Sequence, residues 1–216
     1  MENLRAIVKE VMKDCPAHDL EHVERVYNIA LQLSSDESVD LEVVKAAALL
    51  HDIAGAQEIK NTRVDHSVEG AKMAEPILKQ IGFPKEKISH VQACISTHRY
   101  KSGHEPKTRE AEIVYDADKI DTIGAMGVAR SYVWIGRNNA RMFNKEDVKS
   151  YARENLGANG RILDHTKHSP QIEWETKYKH IPERMHSPQA RQMAEERLQY
   201  MRSFFERLEK ERKGER

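Results

Sequence analysis

Apolar residues recur at helical spacing along the N-terminal part of the chain. A first helix is predicted over residues 3 to 14, where one face carries Leu4, Ile7, Val8, Val11 and Met12. The Cys15-Pro16 pair is predicted to end it. A second helix begins near Asp19, and its apolar face carries Val23, Val26, Ile29, Ala30 and Leu33. His22 falls on this apolar face and is therefore predicted to point inward.

The middle of the chain predicts four further helices. Residues 41 to 54 are apolar nearly all round and are followed by Gly55, which predicts a helix buried on most sides and stopped by that glycine. A helix from His66 to about Gly82 follows, and the next one carries His98 in phase with its inward face. The segment from Arg109 to about Ala129 is predicted as one helix that contains the sequence DADKID.

The C-terminal part is less regular. Between Gly136 and Pro188 the pattern is interrupted repeatedly by glycine, asparagine and proline, which predicts either an irregular cap or a set of short helices. A final helix begins near Pro188. Because no segment alternates like a strand, we expect an all-α, single-domain helical bundle. Residues 1–135 would form the core, and residues 136–216 would form an irregular helical cap and a last helix that completes the same domain.

Composition and charge restrict the classes of function that the chain could have. The 216 residues fit one domain, and 35 basic residues balance 35 acidic ones, which disfavours a nucleic-acid-binding protein. The N-terminus mixes charges with apolar residues, so we expect a cytoplasmic protein without membrane association. Cys15 and Cys94 are the only cysteines, so neither a disulfide framework nor a thiolate zinc site is indicated. The eleven histidines leave imidazole and carboxylate as metal ligands.

Histidines and aspartates on core-facing positions are the informative chemical feature. They comprise His22, the pair His51-Asp52 and the cluster Asp116, Asp118 and Asp121. A buried aspartate is costly unless it is paired or bound to a cation. Taken singly, each residue is explained by a core hydrogen bond or a helix cap. Taken together, two imidazoles and two carboxylates are explained by one divalent cation.

Helical phase restricts which aspartates act together. Asp116 and Asp118 differ by about 200° around a helix and cannot share a face, whereas Asp118 and Asp121 differ by about 60° and can. Phase alone therefore does not select Asp118 among the three.

The ordered set His22, His51-Asp52 and Asp118 resembles the signature of the HD-domain metal-dependent phosphohydrolase superfamily. The surrounding segments HDLEHVERVYNIA, AALLHDIAG and VYDADKIDTIGAMGVAR are similar to those of small stand-alone bacterial and archaeal HD hydrolases. The resemblance continues through VDHSVEGAKMAEPIL, ISTHR and HSPQARQMAEERLQYMRSFFERL, and so covers most of the chain.

The resemblance implies a fold, a metal site and a reaction. The fold would be the HD-type helical bundle, and the ligands of one divalent transition metal would be His22, His51, Asp52 and Asp118. Mn²⁺, Fe²⁺, Co²⁺, Ni²⁺ or Zn²⁺ suit such ligands, and Mg²⁺ suits them less well. The reaction would be hydrolysis of a phosphate ester or anhydride, in a nucleotide or another small phosphorylated metabolite, by a metal-activated water. His51, Asp52, Lys119 and Asp121 would take part in catalysis, and Asp116 would be structural.

Further residues are candidates for contact with the substrate. His66 and His98 stand where related HD enzymes bind a second metal or clamp a phosphate, and a structural hydrogen bond is an equal alternative. One metal is expected, because the sequence shows no second carboxylate for a bridged pair. Arg25, Lys119 and Lys60 are cations near these motifs. The basic residues expected at the site entrance are Arg130, Arg137, Arg141, Arg161, His165 and His168.

An alternative belongs to a different functional class. The metal could stabilise a non-catalytic module that binds nucleic acid or a protein partner. The complete ligand set counts against this alternative, and so does the 6% aromatic content, which is low for a single-strand platform. A cyclic dinucleotide phosphodiesterase is disfavoured because the GYP-type extension is missing. Whether the chain forms a homo-oligomer stays open at this point.

Overall fold

The computed structural model describes residues 1–12, 20–35, 38–61, 63–99, 105–144, 147–157 and 162–216. Within these ranges the chain is built of helices, with one isolated bridge between Leu156 and Ile162 and no strand. The prediction of an all-α fold is confirmed. The predicted helix end at Cys15-Pro16 and the start at Asp19 lie outside the described residues. No helix in the described ranges is both long enough and apolar enough to cross a bilayer.

The described residues form two compact units, Met1–Asp118 and Lys119–Arg216. The helices of the first part of the chain are α1 (Glu2–Met12), α2 (Leu20–Leu33), α3 (Leu41–Leu50), α4 (Gly55–Lys60), α5 (His66–Gln80), α6 (Lys85–Thr97) and α7 (Arg109–Asp121). Those that follow are α8 (Gly124–Asn138), α9 (Val148–Asn155), α10 (Pro170–Thr176) and α11 (Pro188–Arg212). The domain boundary expected at residues 135/136 would fall within α8, and it stays a prediction.

The centre of the first unit is α3, as its apolar sequence predicts. All its residues from Ala46 to Leu50 are inaccessible to solvent, and α2 and α6 pack against it. The helix begins at Asp40, whose carboxylate accepts hydrogen bonds from the backbone N–H groups of Glu42 and Val43. The C-terminal end of this buried helix therefore lies in the interior of the unit, and His51 and Asp52 follow it directly.

The helix predicted over residues 41 to 54 is wrong in its last four residues. It ends at Leu50, residues 51 to 54 form turns, and Gly55 begins α4 instead of stopping a helix. The carbonyl of Leu50 accepts from the N–H of Ile53 at 3.1 Å, and that of Asp52 from Gly55 at 2.8 Å. Consecutive positions of a helix point about 100° apart. Leaving the helix here allows His51 and Asp52 to face the same buried cluster.

The single helix predicted from Arg109 to Ala129 is also wrong, because α7 ends at Asp121 and α8 begins at Gly124. Gly124 has φ of 78°, a left-handed conformation that glycine adopts without a steric penalty. Thr122 supports the break, since its hydroxyl donates to the carbonyl of Lys119 at 2.7 Å. The sequence signal for this break was the glycine that follows Ile123.

In the second unit, α8 packs against α11, and the described residues between α8 and Pro188 include several short helices. Short 3-10 helices lie at His165–Lys167, Tyr178–His180 and Pro182–Arg184. The predicted final helix from Pro188 is confirmed. A buried polar cluster joins the short helices: Tyr151 hydrogen-bonds Nδ1 of His168 at 2.7 Å, and Nε2 of His168 lies 3.2 Å from Glu173.

Candidate metal centre

Six side chains converge in the interior of the first unit and form two sets of three. We call His22, His51 and Asp118 the first triad, and Asp52, His66 and His98 the second triad. In each triad one nitrogen or oxygen per residue lies within 4.8 Å of the others. The residues come from α2, the end of α3, α5, the end of α6 and α7. Helices that are distant in sequence therefore supply one compact group of metal-ligand atoms.

The first triad is tightly spaced. Nε2 of His51 lies 3.2 Å from Nε2 of His22, and Oδ1 of Asp118 lies 3.5 Å from His22 and 4.0 Å from His51. Oδ2 of Asp52 lies 3.4 Å from Nε2 of both histidines. The structure thus brings together the four residues that the sequence suggested as metal ligands.

The second triad uses the other oxygen of the same aspartate. Oδ1 of Asp52 lies 3.4 Å from Nε2 of His66 and 3.4 Å from Nε2 of His98. The two nitrogens are themselves 3.2 Å apart. Oδ2 of Asp52 therefore faces the histidines of the first triad, and Oδ1 faces the histidines of the second. This double use of one carboxylate was not predicted from the sequence.

Close helix packing brings α5 to the centre. A Cβ added at Gly70 of α5 would lie 3.4 Å from the backbone carbonyl oxygen of His51, which is at the limit of ordinary contact. This is an ordinary van der Waals distance, so α5 lies close against the end of α3. His66 is one turn earlier on the same face of α5, so this contact places it beside Asp52.

Ring orientation follows from what the histidines contact on their far side. Nδ1 of His51 lies 2.8 Å from the carbonyl oxygen of Ala48, and Nδ1 of His98 lies 2.6 Å from that of Ile95. A carbonyl oxygen only accepts, so each Nδ1 carries the proton and donates it. In the neutral ring Nε2 is then a lone pair directed into the centre.

Burial keeps His98 neutral. Burial lowers the pKa of His98 to about 4, the nearby carboxylate of Asp52 opposes this shift, and the neighbouring His51 and His66 add to it. Nε2 of His98 therefore carries no proton near neutral pH.

The donor set fits a divalent transition metal. Ligand atoms about 2.1 Å from a metal at tetrahedral or octahedral angles lie roughly 3.0–3.4 Å apart. The separations around Asp52, at 3.2 to 3.4 Å, match this spacing. Imidazole nitrogens mixed with carboxylate oxygens suit the later divalent metals better than Mg²⁺.

His66 is oriented by a partner that sequence reasoning missed. Its Nδ1 makes a short hydrogen bond to Oε2 of Glu58 on α4. Nη2 of Arg99, directly after His98, donates to Oε1 of Glu58 at 2.9 Å. Burial opposes ionisation of Glu58, but the hydrogen bond from His66 and the charges of His66 and Arg99 hold its pKa below its usual value. Arg99 belongs to the segment ISTHR, which was the one signal that the sequence offered.

The sequence also suggested Lys119, Asp121 and Arg25 as functional residues and Asp116 as a structural one. Asp116 and Lys119 are buried, and the buried Asp121 pairs with Arg130 at 3.0 Å within the second unit. Arg25 is partly exposed on α2. The catalytic roles of Lys119 and Asp121 and the substrate-binding role of Arg25 stay predictions.

The expected entrance residues that the structure describes all lie in the second unit. His168 contacts Tyr151 and Glu173, and His165 hydrogen-bonds Asn138 at 3.0 Å. The role of these residues, with Arg130, Arg137 and Arg141, as an entrance stays a prediction. Arg161 and the side chain of Lys60 lie outside what the structure describes.

Comparison with known proteins identifies a related group. The sequence profile described as HD domain matches residues 19–123, a range that contains all six residues of the two triads. A crystal structure of a predicted HD superfamily hydrolase from an uncultured Thermotogales bacterium is 30% identical. It aligns with 98% of this chain and 92% of its own, with a TM-score of 0.65.

A Bacillus subtilis protein, YpgQ, is similar over nearly the whole length. It is 29% identical over 218 residues, which cover 99% of this chain and 94% of YpgQ. A crystal structure of YpgQ in complex with ADP superposes with a TM-score of 0.71. That comparison has 25% identity and covers 97% of this chain and 93% of YpgQ.

Proposed function

The chain belongs to the HD-domain family, and from this premise we propose that it is a metal-dependent phosphohydrolase acting on a nucleotide or another small phosphorylated metabolite. His22, His51, Asp52 and Asp118 would hold the divalent ion. When bound, such an ion polarises a phosphoryl oxygen and lowers the pKa of a water molecule, as hydrolysis of a phosphate ester or anhydride requires.

One observation carries the proposal. Around Asp52, the inward-facing nitrogens of His51 and His98 are lone pairs, and the carboxylate oxygens also only accept. The two nitrogens each lie 3.4 Å from one of those oxygens, and acceptors this close repel one another unless a positive charge lies beside them. A divalent cation would supply that charge, whereas protonation of the buried His98 supplies it only at acidic pH.

The second triad favours a second ion. The sequence predicts one metal, and the second triad would be able to hold another, with Asp52, His66 and His98 as its ligands. If no second ion binds, a phosphate oxygen could instead accept a hydrogen bond from His66 or His98. This requires that Nε2 of the donating ring carries a proton. The metal content of the purified protein distinguishes these arrangements.

Other residues of the chain would act on the substrate. Lys119 directly follows Asp118, and its ammonium would offset negative charge on a phosphoryl group. Arg25, one turn after His22 on α2, is the candidate for a second phosphate contact. Asp121 would act by orienting Arg130, to which it is paired.

The nucleotide class rests on the relative that binds one. YpgQ was crystallised with ADP, and it aligns with this chain over nearly its whole length. We therefore infer a nucleoside phosphate as the substrate class.

Metal-stripped protein tests the proposal directly. It is assayed against nucleoside mono-, di- and triphosphates and an aryl phosphate, with Mn²⁺, Co²⁺, Ni²⁺, Zn²⁺ or Mg²⁺ added back. Orthophosphate released from a monophosphate defines a phosphatase, and pyrophosphate released from a triphosphate defines a pyrophosphohydrolase. Turnover is expected with at least one transition metal and is expected to disappear with a chelator.

The matched variants are Asp52→Asn and Asp147→Asn. Asp147 is exposed and caps α9, where asparagine caps a helix equally well. We expect Asp52→Asn to lower kcat roughly 100- to 1,000-fold, and Asp147→Asn to keep it. Tight metal binding without turnover on any substrate would contradict the proposal and favour the non-catalytic binding module. Nucleic-acid affinity that falls steeply with salt would then identify its partner.

A further inference from the structure

His66 differs from His51 and His98 in how its ring is held. His51 and His98 each donate from Nδ1 to a backbone carbonyl of their own helix, which fixes the ring through the helix itself. His66 donates instead to the side chain of Glu58, on a different helix. The orientation of His66 therefore depends on where that carboxylate is held.

Arg99 holds that carboxylate in place. Its Nη2 lies 2.9 Å from Oε1 of Glu58, and its Nη1 lies 3.3 Å from Oδ1 of Asp65. Asp65 is the N-cap of α5, where the same oxygen accepts from the backbone of Ser67 at 3.0 Å. One guanidinium thus ties α4 to the first turn of α5, which begins at His66.

We propose that Glu58 and Arg99 form a positioning pair for His66, which directs its Nε2 at Asp52 and His98 and sets the metal affinity of the second triad. The carboxylate of Glu58 accepts a hydrogen bond from Nδ1–H of His66, which leaves Nε2 as the lone-pair nitrogen and makes it more basic. Both side chains are partly exposed, Glu58 by 24% and Arg99 by 34%, so Glu58 has room to rotate toward solvent. The ion pair with Arg99 keeps it directed at His66. Outer partners of this kind typically change metal affinity by about 10- to 100-fold. The inference rests on the proposed metal centre and is independent of which substrate is hydrolysed.

Calorimetric titration of metal-stripped protein with Mn²⁺ tests the pair. We expect Glu58→Ala to weaken one Mn²⁺ binding step by about 10- to 100-fold, Arg99→Met to weaken it less, and Arg99→Lys to restore part of the loss. Glu75→Ala is the control, because Glu75 is an exposed residue of α5 paired only with Lys79 among the contacts described. Circular dichroism shows whether each variant folds, and Glu58→Gln replaces Glu58→Ala if the latter does not.

A double-mutant comparison separates positioning from a general structural effect. Because Glu58 acts through the His66 ring, Glu58→Ala is expected to have no further effect in a His66→Ala background. Mn²⁺ binding that stays within about twofold of wild type in Glu58→Ala would overturn the proposal. A loss of equal size in the His66→Ala background would also overturn it. Mn²⁺ binding that depends on Glu58 without phosphate release would leave this inference standing and contradict only the proposed activity.

Discussion

Asp52 and His98 meet through one carboxylate oxygen, since Oδ1 of Asp52 lies 3.4 Å from Nε2 of His98. Oδ2 of the same group lies 3.4 Å from Nε2 of His51, the preceding residue in the chain. The turn that follows α3 makes this arrangement available to two consecutive residues. One side chain thus serves both triads, and a change at Asp52 affects every metal position of the centre.

We predict that metal ions stabilise the wild-type protein but not Asp52→Asn. Metal at about 100 times its Kd stabilises a folded protein by roughly 2.7 kcal/mol, which is about 5–10 °C in Tm for a chain of this size. Without the shared carboxylate most of this increase is expected to disappear. Thermal unfolding of metal-stripped protein, with and without Mn²⁺, measures it. Asp147→Asn should keep the wild-type increase, and a full increase in Asp52→Asn would argue against the metal centre.

The two neighbouring aspartates of α7 are predicted to respond differently. Asp118 lies 3.5 Å from His22, so Asp118→Asn should weaken Mn²⁺ binding by at least about 100-fold. Asp116 is equally buried but points about 200° away on the helix. Asp116→Asn should keep Mn²⁺ affinity and lower the free energy of unfolding by about 1–3 kcal/mol, because it removes the charge of a buried carboxylate and weakens that group's interactions.

Mn²⁺ titration and chemical unfolding of both variants measure these effects. Loss of Mn²⁺ binding in Asp116→Asn with retention in Asp118→Asn would reverse the assignment.

Helical periodicity predicted the parts of the site that lie inside helices. His22 fell on the apolar face of α2, and His98 was in phase with α6, so both were expected to point inward and both do. The buried nature of α3 followed equally well from its nearly unbroken apolar sequence. The inward direction of these histidines and the burial of α3 each depend on the residues of a single helix. The periodicity of that helix is therefore sufficient to predict them.

Turns and contacts that depend on how several helices pack together were not predictable from helical periodicity. The turn at residues 51 to 54 follows a sequence of good helix formers, and helical periodicity alone did not predict that the helix ends at Leu50. Glu58 and Arg99 lie 41 positions apart and meet because α4 and α6 both pack against α5. Charged residues at such positions have the same local pattern as residues on a solvated surface.

Two glycines of α8 are predicted to have opposite effects when changed to alanine. A Cβ at Gly127 would lie 2.3 Å from the carbonyl oxygen of Thr122, so the break between α7 and α8 leaves no room for it. Gly127→Ala should lower the free energy of unfolding by roughly 1–3 kcal/mol. Gly136 has no atom within 4 Å of such a Cβ, and Gly136→Ala should raise stability by about 0.5–1 kcal/mol.

Thermal unfolding of the two glycine variants gives the comparison. A Gly127→Ala protein as stable as wild type would contradict the close packing at this corner.

The polar cluster of the second unit predicts a dependence of stability on pH. Burial opposes ionisation of Glu173, but the charge of Lys177 and the hydrogen bond from His168 hold its pKa well below its usual value. A carboxylate whose pKa is lower in the folded state contributes stability at neutral pH, and this contribution falls once the pH drops below about 4.5, where the unfolded chain takes up the proton. Glu173→Gln should therefore be about 1–3 kcal/mol less stable than wild type at pH 7.

The difference between Glu173→Gln and wild type is expected to shrink steadily as the pH falls from about 5 toward 3. Glu175→Gln is the matched control on the same helix, because Glu175 is 40% exposed and pairs with Lys179 at the surface. Urea unfolding at several pH values measures all three proteins. A stability difference for Glu173→Gln that is the same at pH 7 and pH 3 would show that Glu173 stabilises the cluster by packing rather than by its charge.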